Sequence, residues 1–118
     1  MRGEIYGTRD LAFSAWVRQN LPDTGTGFMV SDIDFFMFNH KTKKALILEI
    51  KTKGSDLRPF QVRMYAMLDK ALSSISEDGY EWLGCHVLKF ENSGFHDGLA
   101  WLDGRLVSEA EVKIFLSF

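Results

Sequence analysis

The stretch from Phe28 to Thr52, FMVSDIDFFMFNHKTKKALILEIKT, decides the fold. Its first part, Phe28 to Phe38, is rich in aromatic and β-branched residues and predicts a strand. The polar run Asn39-His40-Lys41-Thr42-Lys43 is turn-like, and Lys44 to Thr52 predicts a second strand, so the two form a β-hairpin. Ala45, Leu46, Ile47, Leu48 and Ile50 leave the second strand almost wholly apolar, as expected of a central strand covered on both faces. Glu49 and Lys51 interrupt it. Charges at such positions are costly unless they pair or hold a metal.

Outward from this hairpin, Leu11, Phe13, Trp16, Val17 and Leu21 follow a mostly helical spacing, with Thr8 available as N-cap and Pro22 as the stop. The turn-rich DTGTG of residues 23–27 is too short to link domains. Downstream, Pro59 suits the first turn of a helix reaching Ser76, with an apolar stripe of Phe60, Met64, Met67, Leu68, Ala71 and Leu72. Glu77-Asp78-Gly79 breaks it. Tyr80 to Phe90 predicts a third strand and Gly98 to Leu102 a fourth; Asp103-Gly104 then turns the chain into Arg105 to Val107. Ser108, with Glu111 completing a capping box, starts a final helix through Phe115. The order α-β-β-α-β-β-α, with no repeat or composition break, predicts one α/β domain over residues 1–118.

A chain of 118 residues suits a single domain, and 46% hydrophobic with 25% charged residues excludes disordered and low-complexity classes. The lone Cys85 excludes an internal disulfide framework and points to a reducing compartment, hence a cytoplasmic protein. No apolar run approaches the roughly 18–20 residues of a membrane span, and no signal-peptide core is expected at the N-terminus. The net charge of -2 argues at first against a nucleic-acid partner. Yet Lys41, Lys43, Lys44, Lys51, Lys53, Arg58 and Arg63 face only Glu49 and Asp56 between Phe38 and Arg63, a local basic excess able to seat phosphates.

Strand side chains alternate faces, so Asp32 and Asp34 are expected on one face, and Glu49 and Lys51 likewise. Pairing of the two strands would set the acidic pair beside Glu49 and Lys51. Two carboxylates with a main-chain carbonyl make a hard oxygen site suited to Mg²⁺ or Mn²⁺. A neighbouring lysine can stabilise a phosphate oxyanion or orient an attacking water. The alternative is an exposed Glu49–Lys51 ion pair on an edge strand, with Asp32 and Asp34 solvated.

Asp34 followed by Glu49-Ile50-Lys51 resembles the signature of the PD-(D/E)XK nuclease superfamily. Gln61-Val62-Arg63-Met64-Tyr65 resembles the Q-x-x-x-Y element of RecB-like nucleases. Its setting, Arg58-Pro59-Phe60-Gln61, is similar to the Gln-bearing helix of VRR-Nuc domains and archaeal-type Holliday-junction resolvases. The resemblance covers residues 8–90 and implies a restriction-endonuclease-like fold, a mixed central β-sheet flanked by helices, with core order α-β-β-β-α-β. The extra core strand would have to come from Phe28–Phe38 or its lead-in. The resemblance makes Asp34 and Glu49 the Mg²⁺ ligands with the Ile50 carbonyl, Asp32 a substitute or outer contact, and Lys51 the catalytic lysine. Gln61 and Tyr65, one helical turn apart, would support the site or touch DNA; the alternative places Tyr65 in the core stripe and Gln61 in solvent. Asp10, with Glu4 as the alternative, would be the acid of the first helix, although Asp10 also suits a helix N-terminus on electrostatic grounds. Ser31 stands where the family often has Pro.

The resemblance implies a Mg²⁺-dependent deoxyribonuclease acting on DNA, branched DNA included, in the manner of a Holliday-junction resolvase or structure-selective endonuclease, with a homodimer carrying two sites and a prokaryotic or phage setting. The alternative is a non-catalytic DNA- or protein-binding module on the same fold. His40 belongs to the basic turn. Strand alternation sends Cys85 and His86 to opposite faces, with Cys85 as a small core residue, and His96-Asp97 has no second ligand at suitable spacing. Most aromatic residues fall at core periodicity, with Trp16 and Trp101 undecided between packing and stacking.

Overall fold

The structure, a computed structural model, describes residues 11–22, 24–27 and 29–118. The chain divides into two compact units, Met1–Val30 and Ser31–Phe118. In the first, helix α1 spans Leu11–Asn20. Asn20 Nδ2 donates to the Trp16 carbonyl and the Leu21 N–H to that of Val17, satisfying carbonyls that the helix end leaves open. Pro22 follows, as expected of a stop.

The second unit is an α/β layer. Strands β1 (Phe35–Asn39), β2 (Lys44–Thr52), β3 (Glu81–Phe90), β4 (Ala100–Leu102) and β5 (Arg105–Val107) form one mixed sheet in sequence order. All neighbours are antiparallel except β2 and β3, which run parallel and are joined through helix α2, Pro59–Leu72. Helix α3, Glu109–Leu116, closes the chain. Asp103 and Gly104 both have positive φ, the combination a type I′ hairpin turn needs between β4 and β5. The Ser108–Glu111 capping box is formed in both directions, and the Ser108 amide with its hydroxyl holds the Glu111 carboxyl below its ordinary pKa. No helix among the described residues is long and apolar enough to cross a membrane.

The expected strand Phe28–Phe38 is corrected. Pairing begins only at Phe35, opposite Leu48, and residues 29–34 are not strand. The reason is local: Asp34 Oδ2 accepts the Ile50 N–H at 2.9 Å, so a side chain takes the ladder position the incoming chain would have filled. Among the described residues no third strand therefore precedes α2. The expected helix to Ser76 ends as an α-helix at Leu72 and tightens into a 3-10 turn over Ser73–Asp78.

The two faces of the sheet differ. On one, Leu46 and Leu48 of β2, Leu88 and Phe90 of β3, Ala100, Leu102, Val107 and Val112 form the buried apolar cluster, joined by Ile50, Phe115 and Phe118. The other face lies beneath α2. A β-bulge in β3 sets the alternation. Between Ala45 and Ile47 β2 advances two residues, while β3 advances from Trp82 to Cys85. Gly84, at φ +97°, absorbs the extra residue.

Candidate active site

β2 is an inner strand of the sheet, but Glu49 and Lys51 lie past the end of its pairing with β1 and are in register with β3 alone; Glu49 is nevertheless only 4% exposed, so the two are not a solvent-exposed ion pair. They point toward α2, whose first turns carry Gln61 and Tyr65, 8% and 6% exposed, on the facing side. A buried carboxylate needs donors, and here they come from the helix. The Tyr65 hydroxyl donates to Glu49 Oε1 through a short hydrogen bond, and Gln61 Nε2 donates to Oε2 at 3.1 Å. Lys51 Nζ lies 3.5 Å from Glu49 Oε2 and donates to Gln61 Oε1 at 3.0 Å. That same Oε1 accepts the Arg58 N–H at 3.0 Å, one of the amides left open at the start of α2. The amide of Gln61 thus has its oxygen on two donors and its nitrogen on a carboxylate, which fixes its orientation.

Burial, then the bond to Glu49 and the negative charges of Glu49 and Asp34, push the Tyr65 hydroxyl above its ordinary pKa. It therefore stays a proton donor toward Glu49. Asp34 stands at the bend before β1 with its carboxylate clipped to the amide of Ile50, the residue between Glu49 and Lys51. In an antiparallel ladder a residue's N–H and C=O address the same neighbour. The Ile50 carbonyl accordingly faces the Asp34 side.

Asp34, Glu49, Ile50, Lys51, Gln61 and Tyr65 are thus gathered on one corner of the second unit. Asp32 is exposed and lies before β1, so strand alternation does not put it on a face with Asp34, and that expectation is corrected. Asp10 and Glu4 fall outside the described residues. His86 and Cys85 do point to opposite faces: the His86 ring packs edge-on against Phe115 at 5.0 Å, while Cys85 Sγ lies 3.7 Å from the Tyr65 carbonyl under α2. Burial, with the charge of Asp69, pushes the Cys85 thiol up to about 11.

Among the described residues no three His, Cys, Asp or Glu side chains gather into a metal-holding group. The donors at this corner are the Asp34 and Glu49 carboxylates and the Ile50 carbonyl, hard oxygens that suit an ion keeping several of its waters. A carboxylate offers about four acceptor positions. Tyr65, Gln61 and Lys51 engage Glu49 at three.

Sequence reasoning overlooked Lys89 and Asp56, which form an ion pair of 2.7 Å beside this corner. Lys89 had a signal, being a cation in a mainly apolar strand just as Lys51 is. Asp56 had none, because its partner is 33 residues away. Comparison with protein-family models, with curated proteins and with solved structures gave no match.

Proposed function

We propose that the chain is a metal-dependent nuclease that hydrolyses phosphodiester bonds in DNA, on a restriction-endonuclease-like scaffold. The observation that carries this is a buried Glu49 on a central strand, held by Gln61 and Tyr65, with Lys51 beside it. A buried acid with an adjacent cation is expensive to maintain as mere structure, because well-packed apolar residues generally stabilise as well or better. Asp34, clipped to the amide between the two, adds a second carboxylate from a separate element.

Asp34, Glu49 and the Ile50 carbonyl would hold Mg²⁺ or Mn²⁺. The chemistry such an ion supplies is Lewis-acid polarisation of a phosphoryl oxygen and a lowered pKa for a bound water. The protein's own part is electrostatic and positional. Lys51, steadied by Gln61, presents an ammonium to the negative charge that grows on phosphate during attack. Tyr65 and Gln61 hold the rotamer of Glu49, keeping its carboxylate directed by two donors rather than by solvent. Asp32, two residues before Asp34, would serve as a substitute ligand or an outer contact.

Branched DNA is the first substrate to try, and a homodimer would offer two such sites to two strands. A prokaryotic or phage-infected cytoplasm suits the unpaired thiol of Cys85. The test is nicking of supercoiled plasmid and cleavage of a four-way junction with Mg²⁺ or Mn²⁺. Glu49→Ala and Lys51→Ala should each lower the rate by about 10²–10³, with circular dichroism checking that both variants fold. Activity surviving both substitutions overturns the assignment.

One observation favours a second reading, a DNA- or protein-binding module on the same scaffold. Both Glu49 oxygens already accept protein donors, so the carboxylate is satisfied without an ion. Titration calorimetry with Mn²⁺ separates the two, since heat lost in Glu49→Ala belongs to the nuclease and absence of heat to the module.

A further inference from the structure

Lys51 begins a row of side chains that crosses the sheet on the α2 face. In register it lies beside Lys89 of β3, and Lys89 lies beside Trp101 of β4. Lys89 and Trp101, with Val87, Asp56 and Gly104, line a cavity of about 360 Å³. Its wall is continuous with the candidate active site, because Val87 is the register partner of Glu49.

We infer that this cavity is a nucleotide subsite, resting on the nuclease assignment of the adjoining corner: Trp101 is a stacking platform for one base and Lys89 a contact to a nearby phosphate. The lining has the mixed chemistry of a nucleotide, an aromatic and an aliphatic wall with one cation. Its volume falls in the range of small-ligand sites, about 300–1,000 Å³. Adjacent strands lie ~4.8 Å apart, so Trp101 stands about two spacings, roughly 10 Å, from Lys51. At ~3.4 Å of rise per stacked nucleotide, that span reaches a base about three positions from the phosphate at Lys51. The anion position at Lys89 is already marked. Asp56 Oδ1 lies 2.7 Å from its ammonium, and the Asp56 side chain is 78% exposed. A phosphate oxygen can take that place as the Asp56 carboxylate swings into water.

The experiment is a tryptophan-fluorescence titration of the whole chain with a short single-stranded oligodeoxynucleotide in EDTA, run at several salt concentrations. Binding should quench emission in the wild type, and Trp101→Phe should abolish the quench while Trp16 and Trp82 still emit. Trp101→Leu should weaken affinity about tenfold. Lys89→Gln should weaken it and lower the salt slope by about one, and Asp56→Asn should tighten it. An unchanged quench in Trp101→Phe, an unchanged affinity and slope in Lys89→Gln, or no binding overturns the subsite. Plasmid cleavage with Mg²⁺ is scored separately. Cutting by the wild type with Trp101→Leu and Lys89→Gln unaffected in binding overturns the subsite alone. The binding changes without any cutting overturn the nuclease and leave the subsite standing.

Discussion

Two neighbouring sets of residues on β2 live in opposite environments. Leu46 and Leu48 face the apolar cluster and are buried by hydrocarbon on all sides. Glu49 is nearly as buried, yet on the α2 face Tyr65, Gln61 and Lys51 each bring it a donor or a charge. The first surface contributes stability through area and close packing, and tolerates no void. The second has to satisfy each polar atom, and gains positional precision from doing so. One strand therefore separates the part of the molecule that holds it folded from the part proposed to act.

That contrast can be broken by substitution. The largest expected effect is Leu46→Ala, which should lower unfolding free energy by about 3–5 kcal/mol in urea titration, as cavities in packed cores do. A cost under ~1 kcal/mol would mean the apolar face is not the stabilising one. Gln61→Leu comes next, removing a donor to Glu49 and an acceptor for Lys51 and Arg58, with an expected loss of about 2–3 kcal/mol. Tyr65→Phe deletes one donor and keeps the ring, so roughly 1–2 kcal/mol is expected. A loss in either variant as large as in Leu46→Ala would erase the distinction between the faces. Ser108→Ala, on the α3 side, should cost about 1 kcal/mol by uncapping that helix.

The smallest effect is a pH dependence beneath α2. The folded chain holds the Cys85 proton more tightly than the unfolded chain, whose thiol titrates near ~8.5. Stability from this group is complete below that value and declines as pH rises toward the folded value of about 11. Thermal melts across that window should fall more steeply in the wild type than in Cys85→Ala. Parallel curves would place the titration elsewhere.

Much of this was legible in the sequence wherever one element decides the outcome alone. The apolar run from Lys44 to Thr52 is strand β2 to the residue, and Pro59 opens α2 as its fixed φ suggests. Ser108 and Glu111 form their box because both partners lie within one turn. The pairing of Glu49 with Gln61 and Tyr65 was not legible from spacing, since it depends on how α2 docks over the sheet. The early end of β1 was not legible. Met29, Val30 and Ile33 look like strand, and only the three-dimensional neighbour shows that Asp34 replaces the ladder at Ile50. Lys89 and Asp56 were missed because their meeting crosses from the loop after β2 to β3.

The bulge at Gly84 also changes what a mutational map of β3 would look like. After it, His86, Leu88 and Phe90 belong to the apolar side and Cys85, Val87 and Lys89 to the α2 side; before it, Leu83 and Trp82 take those same two sides in turn. A scan of this strand would give a tolerance pattern of period two that slips phase at one residue. Read without that slip, the pattern would assign Trp82 to the wrong side of the sheet. Deleting Gly84 would remove the extra residue and restore plain alternation, leaving Leu83 and Trp82 on the sides they already take, so its loss is expected to be better tolerated than deletion of Val87, which would reverse the facing of everything before it.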